Sequence, residues 1–280
     1  GIISTASLAV ACILSLYAIE SSDGKSISGV MEITGFGRFM SMVFTAALAI
    51  TAAASIYRIP STKITVDDAK DADERTTLSL MDNRRQVDLH ILLMMVALGM
   101  SLMALSTNLF FLIVCLELAS MASYVLVGFH KESRIGGEAG AKYFIVGSIA
   151  SATGIYGMSL LYLWAGSLDF ASLSASWAAM DTLDPLAGIG VGLMLVAFGF
   201  KVSAAPFHLA APDAYSGTNA PIAGMLATAS KAMGFVAMMR VLVGFAAPNE
   251  AVTAWAPALG VLAIITCLLY TSPSPRDQVV

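Results

Sequence analysis

The most informative stretch of this sequence is LMLVAFGFKVSAAPFHLAAPD, residues 193–213. It begins as a continuous apolar run, reaches Lys201 and then passes Pro206 and Pro212. Inside a helix, each proline removes a backbone hydrogen bond and clashes with the preceding turn. Irregular backbone at membrane depth is tolerated where it is buried in protein or lines a wet cavity, and transporters place ion sites at such breaks. The stretch therefore predicts either a broken membrane helix or an ordinary proline kink at the end of a span.

The rest of the chain is similarly apolar. Of its 280 residues, 58% are hydrophobic and only 12% are charged, and its mean hydropathy is +0.80. A soluble domain carries about 25% charged residues, because its surface faces water. The composition therefore predicts a protein that crosses the membrane several times. The net charge of -4 argues against a nucleic-acid partner.

Apolar runs of roughly span length predict about eight membrane helices. Lipid offers no hydrogen-bond partners to the backbone, so spans are either helices or strands of closed barrels, and these runs are too long for barrel strands. We therefore expect an all-α, polytopic transmembrane helix bundle with one broken helix. The runs lie at about residues 2–19, 38–57, 89–106, 108–129, 140–165, 186–204, 220–245 and 252–270.

Charged residues gather in the segment at about 58–88, which predicts a solvated loop. Lysine and arginine are concentrated in the loops after the second and fourth runs, whereas the loop at 166–184 has neither. Because cytoplasmic loops collect these residues, the loops after runs two and four are predicted to lie in the cytoplasm.

Three ionisable residues deep within the apolar runs are the main candidates for function. Glu117 stands near the middle of the fourth run, where an ionised carboxylate costs about 2.5 to 3.5 kcal/mol and usually finds a partner. Lys201 and Lys231 are the two candidate partners. Burial favours the neutral form of each group, whereas an opposite charge favours the ionised form. The pattern therefore predicts either switchable proton carriers or a static ion pair that fixes helix register.

Other polar residues extend this pattern. His208 follows the first proline of the break, and an imidazole can relay protons near neutral pH, although an isolated histidine is more often a core residue. Glu138 and Lys142, four residues apart, should share one helix face; an interfacial ion pair is the alternative. The glycines at 188, 190 and 192 lie within a span and predict close helix packing rather than a dinucleotide loop. The cysteine spacing suggests neither a disulfide framework nor a metal site.

Several motifs together resemble subunit N of proton-translocating NADH:quinone oxidoreductase, respiratory complex I, and its family of antiporter-like membrane subunits. The similar segments are Phe200 to Leu209, Pro212 to Tyr215, Ala227 to Ala232, Leu116-Glu117-Leu118 and Lys142-Tyr143-Phe144. The resemblance covers roughly residues 36–267. It implies that the chain corresponds to the first of two inverted repeats of the antiporter-like fold.

The resemblance also implies roles for individual residues. Glu117 matches the family's buried glutamate, Lys201 the lysine on the broken helix, Lys231 the central lysine and His208 the histidine after the break. In the implied mechanism, Glu117 modulates Lys201, which exchanges a proton with Lys231 through waters and His208. Glu138 and Lys142 match a further charged pair of the family, whose role is less defined.

The implied function is proton transport coupled to quinone reduction. No cofactor and no metal are expected on this chain; NADH or another donor, flavin and iron-sulfur clusters are expected on partner subunits. Other membrane subunits, the lipid bilayer and a quinone near a neighbouring subunit are the expected surroundings, in an energy-transducing membrane, the prokaryotic plasma membrane. A subunit of a sodium/proton antiporter and a non-transporting structural membrane subunit are the alternatives.

The sequence also departs from the family. Ala210 stands where the family usually has tryptophan, and Ser216 where it often has an acid. We expect a transmembrane bundle over residues 1–267 and a non-family tail or truncation over 268–280. A helix before Gly1 and the second inverted repeat are expected to be missing, so the sequence has the character of a fragment.

Overall fold

The computed structural model describes residues 1–18, 25–56, 72–130, 133–245 and 255–271. A π-helical turn, Leu226–Ser230, joins the ninth helix to the tenth. The α-helices of the described residues are α1 Ile2–Ala18, α2 Gly35–Ala54, α3 Ala72–Leu105, α4 Leu109–Val127, α5 Arg134–Ala165, α6 Phe170–Ala178, α7 Pro185–Val202, α8 Ala210–Gly217, α9 Ala220–Met225, α10 Lys231–Gly244 and α11 Trp255–Thr271.

The helical membrane fold is confirmed, and the number of spans is confirmed in part. All eight apolar runs contain helix. Among the described residues, 6 helices are long and apolar enough to cross a membrane: α2, residues 84–105 of α3, α4, α5, α7 and the continuous stretch 220–244. The first and last predicted spans, α1 and α11, have 17 residues each and fall short of that length. Many large apolar side chains on these helices point outward, as expected for surfaces that face lipid.

Two segments differ from the sequence-based expectation. Residues between α1 and α2 form a short antiparallel hairpin, β1 (Lys25–Ile27) and β2 (Met31–Ile33), which adds to the all-α bundle. Its turn holds Ser28 and Gly29, both with positive φ, a backbone shape that suits the twist of tight hairpins. The segment predicted as a loop over 58–88 is helical from Ala72 onward, because α3 extends beyond its apolar part. Residues 57–71 and 272–280 lie outside the described residues.

Glycines allow α5 and α7 to pack closely. A Cβ atom on Gly157 of α5 would lie 2.5 Å from the carbonyl oxygen of Gly190 on α7, and one on Gly190 would lie 2.9 Å from Leu161. The predicted packing role is thus confirmed for Gly190. A Cβ atom on Gly192 would have no neighbouring atom within 4 Å, so the predicted close packing does not hold at this glycine.

The helix break is present where the prolines predicted it. α7 ends at Val202, and Ser203 adopts a left-handed conformation with φ 55°. The released backbone groups find local partners: Ser203 N donates to Phe200 O at 3.0 Å, and Ala204 N donates to Gly199 O at 2.8 Å. Ala205 N donates to Thr266 Oγ1 of α11 at 3.0 Å. The backbone becomes α-helical again at Ala210, so the stretch is a broken helix and not a simple kink.

Candidate functional site

Glu117 and Lys201 face each other across the interface of α4 and α7. Lys201 Nζ lies 3.8 Å from Glu117 Oε1, and the side chains are 4% and 23% exposed, respectively. Ser151 Oγ of α5 donates a hydrogen bond of 2.6 Å to the same carboxylate oxygen. Of the two lysines that the sequence offered as partners for Glu117, Lys201 is therefore the one in place.

The Lys201 ammonium makes shorter contacts to hydroxyl groups than to the carboxylate. Its Nζ donates to Ser120 Oγ at 2.5 Å and to Tyr124 Oη at 3.1 Å. Both acceptors lie on α4, on the helix face that also carries Glu117, because residues three and seven apart share a face. Lys201 thus sits between one carboxylate and two hydroxyl groups.

A small cavity adjoins this ion pair. Its volume is about 20 Å³, which is enough for one water molecule. Glu117, Ser151 and Lys201 provide its polar lining, and the remaining lining is apolar. A water held there can hydrogen-bond to the same groups that form the ion pair.

Lys231 docks on the end of α7. It is the first residue of α10 and follows the π-helical turn, a distortion that is frequent at functional sites. Its Nζ donates to the backbone oxygen of Lys201 at 3.3 Å and to Ser203 Oγ. A cation is favoured at this position because the last carbonyl groups of a helix carry partial negative charge. The broken helix therefore carries Lys201 itself and binds the Lys231 ammonium through its carbonyl end.

Gly234 allows α10 to approach α7 at this point. A Cβ atom on Gly234 would lie 2.9 Å from Lys201 Cβ and 2.9 Å from Val202 Cγ1. Any larger residue would push the two helices apart, and with them the two lysines.

His208 lies in the break but is not bonded to the lysines. Its Nδ1 atom is buried without a hydrogen-bond partner, and the described hydrogen bonds of Lys201 and Lys231 do not include it. The structure therefore brings Glu117, Lys201 and Lys231 together and leaves the predicted relay through His208 without a direct contact.

Glu138 and Lys142 form the expected pair on α5, with 2.8 Å between Nζ and Oε1. Lys142 Nζ also lies 3.0 Å from Asp213 Oδ2 of α8, which the sequence had not singled out. The three side chains are about half exposed, at 58%, 50% and 48%. This group joins α5 to the helix after the break and lies apart from the buried lysines.

Sequence reasoning missed the hydroxyl residues of the site: Ser120, Tyr124, Ser151 and Ser203. For two of them a signal existed. Ser120 and Tyr124 follow Glu117 at helical spacing, and on a face that already holds a buried carboxylate, hydroxyl groups are natural partners for a cation. Ser151 and Ser203 had no such signal, because they reach the site through contacts between helices.

The fold and this cluster define a class: polytopic helical membrane proteins with an ion-paired lysine at the end of a broken span. The chain belongs to the family described as "NADH:quinone oxidoreductase/Mrp antiporter, TM", which matches residues 106–275.

Individual relatives and solved structures agree with this family assignment. The chain is 34% identical over 247 residues to NADH-quinone oxidoreductase subunit N 2 of Roseiflexus castenholzii, covering 87% of this chain and 45% of the relative. The structure resembles a chain of respiratory complex I from Thermus thermophilus, with a TM-score of 0.66, 27% identity and coverage of 93% and 51%. A chain of the Mrp complex from Dietzia shares the fold, with a TM-score of 0.64, 19% identity and coverage of 86% and 43%. The chain thus spans about half the length of the relatives it matches.

Proposed function

We propose that this chain is part of a proton-translocating, antiporter-like membrane subunit of a respiratory NADH:quinone oxidoreductase. The main support for this proposal is the position of Lys201, whose ammonium lies between a carboxylate and two hydroxyl groups at the end of a broken helix. A cation with alternative partners a few ångströms apart can gain or lose its proton as one partner moves. The site residues are Glu117, Lys201 and Lys231, with His208, Glu138 and Lys142 in supporting roles.

The first step in the proposed mechanism is control of Lys201 by Glu117. The carboxylate favours the charged lysine by direct attraction, and the separation of 3.8 Å is longer than a hydrogen bond. Ser151 already donates to the facing oxygen, so the pair is held partly open. Closing this gap stabilises the ammonium, and opening it releases the proton.

The second step is proton exchange between Lys201 and Lys231. Lys231 is held at the carbonyl end of α7 by the backbone oxygen of Lys201 and by Ser203. When Lys201 loses its charge, repulsion between the two ammonium groups falls, and the proton is accepted more readily at Lys231. The break thus joins the two carriers, since it supplies both the end of α7 and its free carbonyl groups.

Electron transfer is assigned to partner subunits. The relatives are named as subunits of NADH-quinone oxidoreductase, an enzyme complex. Among the described residues, no group of three or more His, Cys, Asp or Glu side chains could hold a metal ion. From the names of these relatives we place NADH, flavin, iron-sulfur clusters and quinone on or near other subunits, and the whole complex in the bacterial plasma membrane.

The two alternatives receive less support. A sodium ion needs several oxygen ligands, whereas the described contacts of the Glu117 carboxylate are a serine hydroxyl and an ammonium group. A purely structural subunit has no need of two lysines beside one helix break, because each buried charge costs free energy. We therefore favour proton transport.

The test uses inverted vesicles that contain the complete complex, with Lys231→Met introduced into the full-length chain. Proton uptake during NADH:quinone turnover is followed with a pH-sensitive dye, and sodium uptake is followed in parallel. Thr228→Val, an exposed change on the preceding turn, is the matched control.

We expect Lys231→Met to abolish proton uptake in an assembled complex and Thr228→Val to leave it intact. Unchanged uptake and turnover in the lysine variant would establish the structural alternative, and sodium uptake that depends on Lys231 would establish the antiporter alternative.

A further inference from the structure

Three tyrosines lie around the two lysines, and the mechanism above gives none of them a proton to carry. Tyr124 lies on α4, Tyr143 on α5 and Tyr215 on α8. Two of them belong to motifs that stand out in the sequence, Lys142-Tyr143-Phe144 and Pro212-Asp213-Ala214-Tyr215. We call these three residues the tyrosine bridge.

The bridge begins at Lys201. Lys201 Nζ donates to Tyr124 Oη at 3.1 Å, and Tyr124 is buried, with 4% exposure. A Cβ atom on Gly147 of α5 would overlap the Tyr124 hydroxyl group, so glycine at this position makes the room that the hydroxyl fills. The hydroxyl of Tyr124 is thus fixed between the lysine and α5.

The middle of the bridge is Tyr143. Its ring packs edge-on against the Tyr124 ring, with 4.9 Å between centroids and an angle of 88°. Its side chain also approaches those of Ser230 and Tyr215. Ser230 is buried and directly precedes Lys231. Tyr143 therefore links the residue that binds Lys201 to the turn that carries Lys231.

The bridge ends at Lys231. Its Nζ lies 5.9 Å from the centroid of the Tyr215 ring, within the range of a cation–π interaction. The tyrosine bridge thus contacts Lys201 through the Tyr124 hydroxyl and Lys231 through the Tyr215 ring. His208, in contrast, is not among the described hydrogen-bond partners of either lysine.

We propose that the hydroxyl groups of Tyr124 and Tyr143 conduct the proton between Lys201 and Lys231, with water completing the steps between them. The inference rests on the proposed function and names the route that it uses. The Lys201 ammonium gives a proton to Tyr124 Oη as that hydroxyl releases its own proton onward. Tyr143 Oη repeats the exchange, and the neutral Lys231 amine accepts the last proton. Only O–H and N–H bonds form and break, each hydroxyl ends as it began, and no electron is transferred.

The test compares variants that remove only a hydroxyl group, in vesicles that contain the complete complex. Tyr143→Phe and Tyr124→Phe keep the ring packing and delete the proton carrier. Tyr143→Leu removes the ring as well. Tyr156→Phe, at an exposed position on α5, is the matched control. Proton uptake driven by NADH is measured in H₂O and D₂O and normalised to the amount of assembled complex.

We expect each of the two phenylalanine variants to slow proton uptake at least about tenfold, since a positioned proton-transfer group contributes about 100-fold or more and water replaces it in part. Their solvent isotope effect should rise, which a packing role would not produce. Native uptake in both would overturn the tyrosine route, as would a loss seen only in Tyr143→Leu. Lys231→Met separates the two proposals. If this variant also pumps normally, the proposed function fails. If Lys231→Met stops uptake while both phenylalanine variants pump normally, only the tyrosine route fails.

Discussion

Replacing Glu117 by glutamine removes the charge opposite Lys201 and little else. The amide oxygen of glutamine can accept the hydrogen bond from Ser151, and the side-chain volume is nearly unchanged. At the observed 3.8 Å, two unit charges attract by about 4 kcal/mol with an effective dielectric constant of about 20. Because the Glu117 side chain is 23% exposed, we take about half of this value as the lower bound.

Losing about 2 to 4 kcal/mol of this attraction changes the ratio of protonated to neutral Lys201 by about 30- to 1000-fold. We therefore expect Glu117→Gln to slow NADH-driven proton uptake at least about tenfold in vesicles with the complete complex. Glu117→Asp, the matched control, keeps the carboxylate and should retain most of the uptake. Native uptake in an assembled Glu117→Gln complex would refute the reasoning, because it would show that the attraction across 3.8 Å does not control Lys201.

Two further predictions concern packing and the exposed charges. Gly234→Ala should destabilise the purified complex by about 1 to 3 kcal/mol, because the added methyl group overpacks against Lys201. Gly224→Ala is the control and should not, because a Cβ atom there meets no atom within 4 Å. Equal melting temperatures of the two variants would contradict the close contact at Gly234. Asp213→Asn should leave the melting temperature of the complex nearly unchanged, because its partner Lys142 is half exposed and exposed ion pairs add little stability; a clear drop in a thermal melt would contradict this prediction.

The predicted helices were found because they depend on local properties, and 6 of those in the described residues are long and apolar enough to cross a membrane. A run of apolar residues of span length is helical wherever it lies in lipid, and prolines interrupt a helix regardless of its neighbours. The eight runs and the break after Val202 therefore follow from the sequence. The hairpin before α2 was missed because three-residue strands carry too short a pattern to be recognised. The helical start of α3 was missed because charge was taken to mean loop.

The titratable residues of the site were also found from the sequence, since charge within an apolar run is visible without a structure. Their partners were not. The pattern of charges left Glu117 with two possible lysines, and only the family resemblance paired it with Lys201. The relay through His208 stays a prediction without a direct contact, and Asp213 was not recognised as a partner of Lys142.

The sequence by itself determined the class of protein, the placement of its helices, the break and the ionisable residues that lie within the apolar runs. Only the tertiary structure decided that Glu117 faces Lys201, that Lys231 docks on the carbonyl end of α7, and that the Tyr124 hydroxyl binds Lys201. The physical reason is helix packing. Each residue advances a helix by about 1.5 Å and rotates it by about 100°, so small shifts between neighbours change which side chains meet. Close contacts such as that of Gly234 with Lys201 fix those shifts, and they join residues that are far apart in the chain.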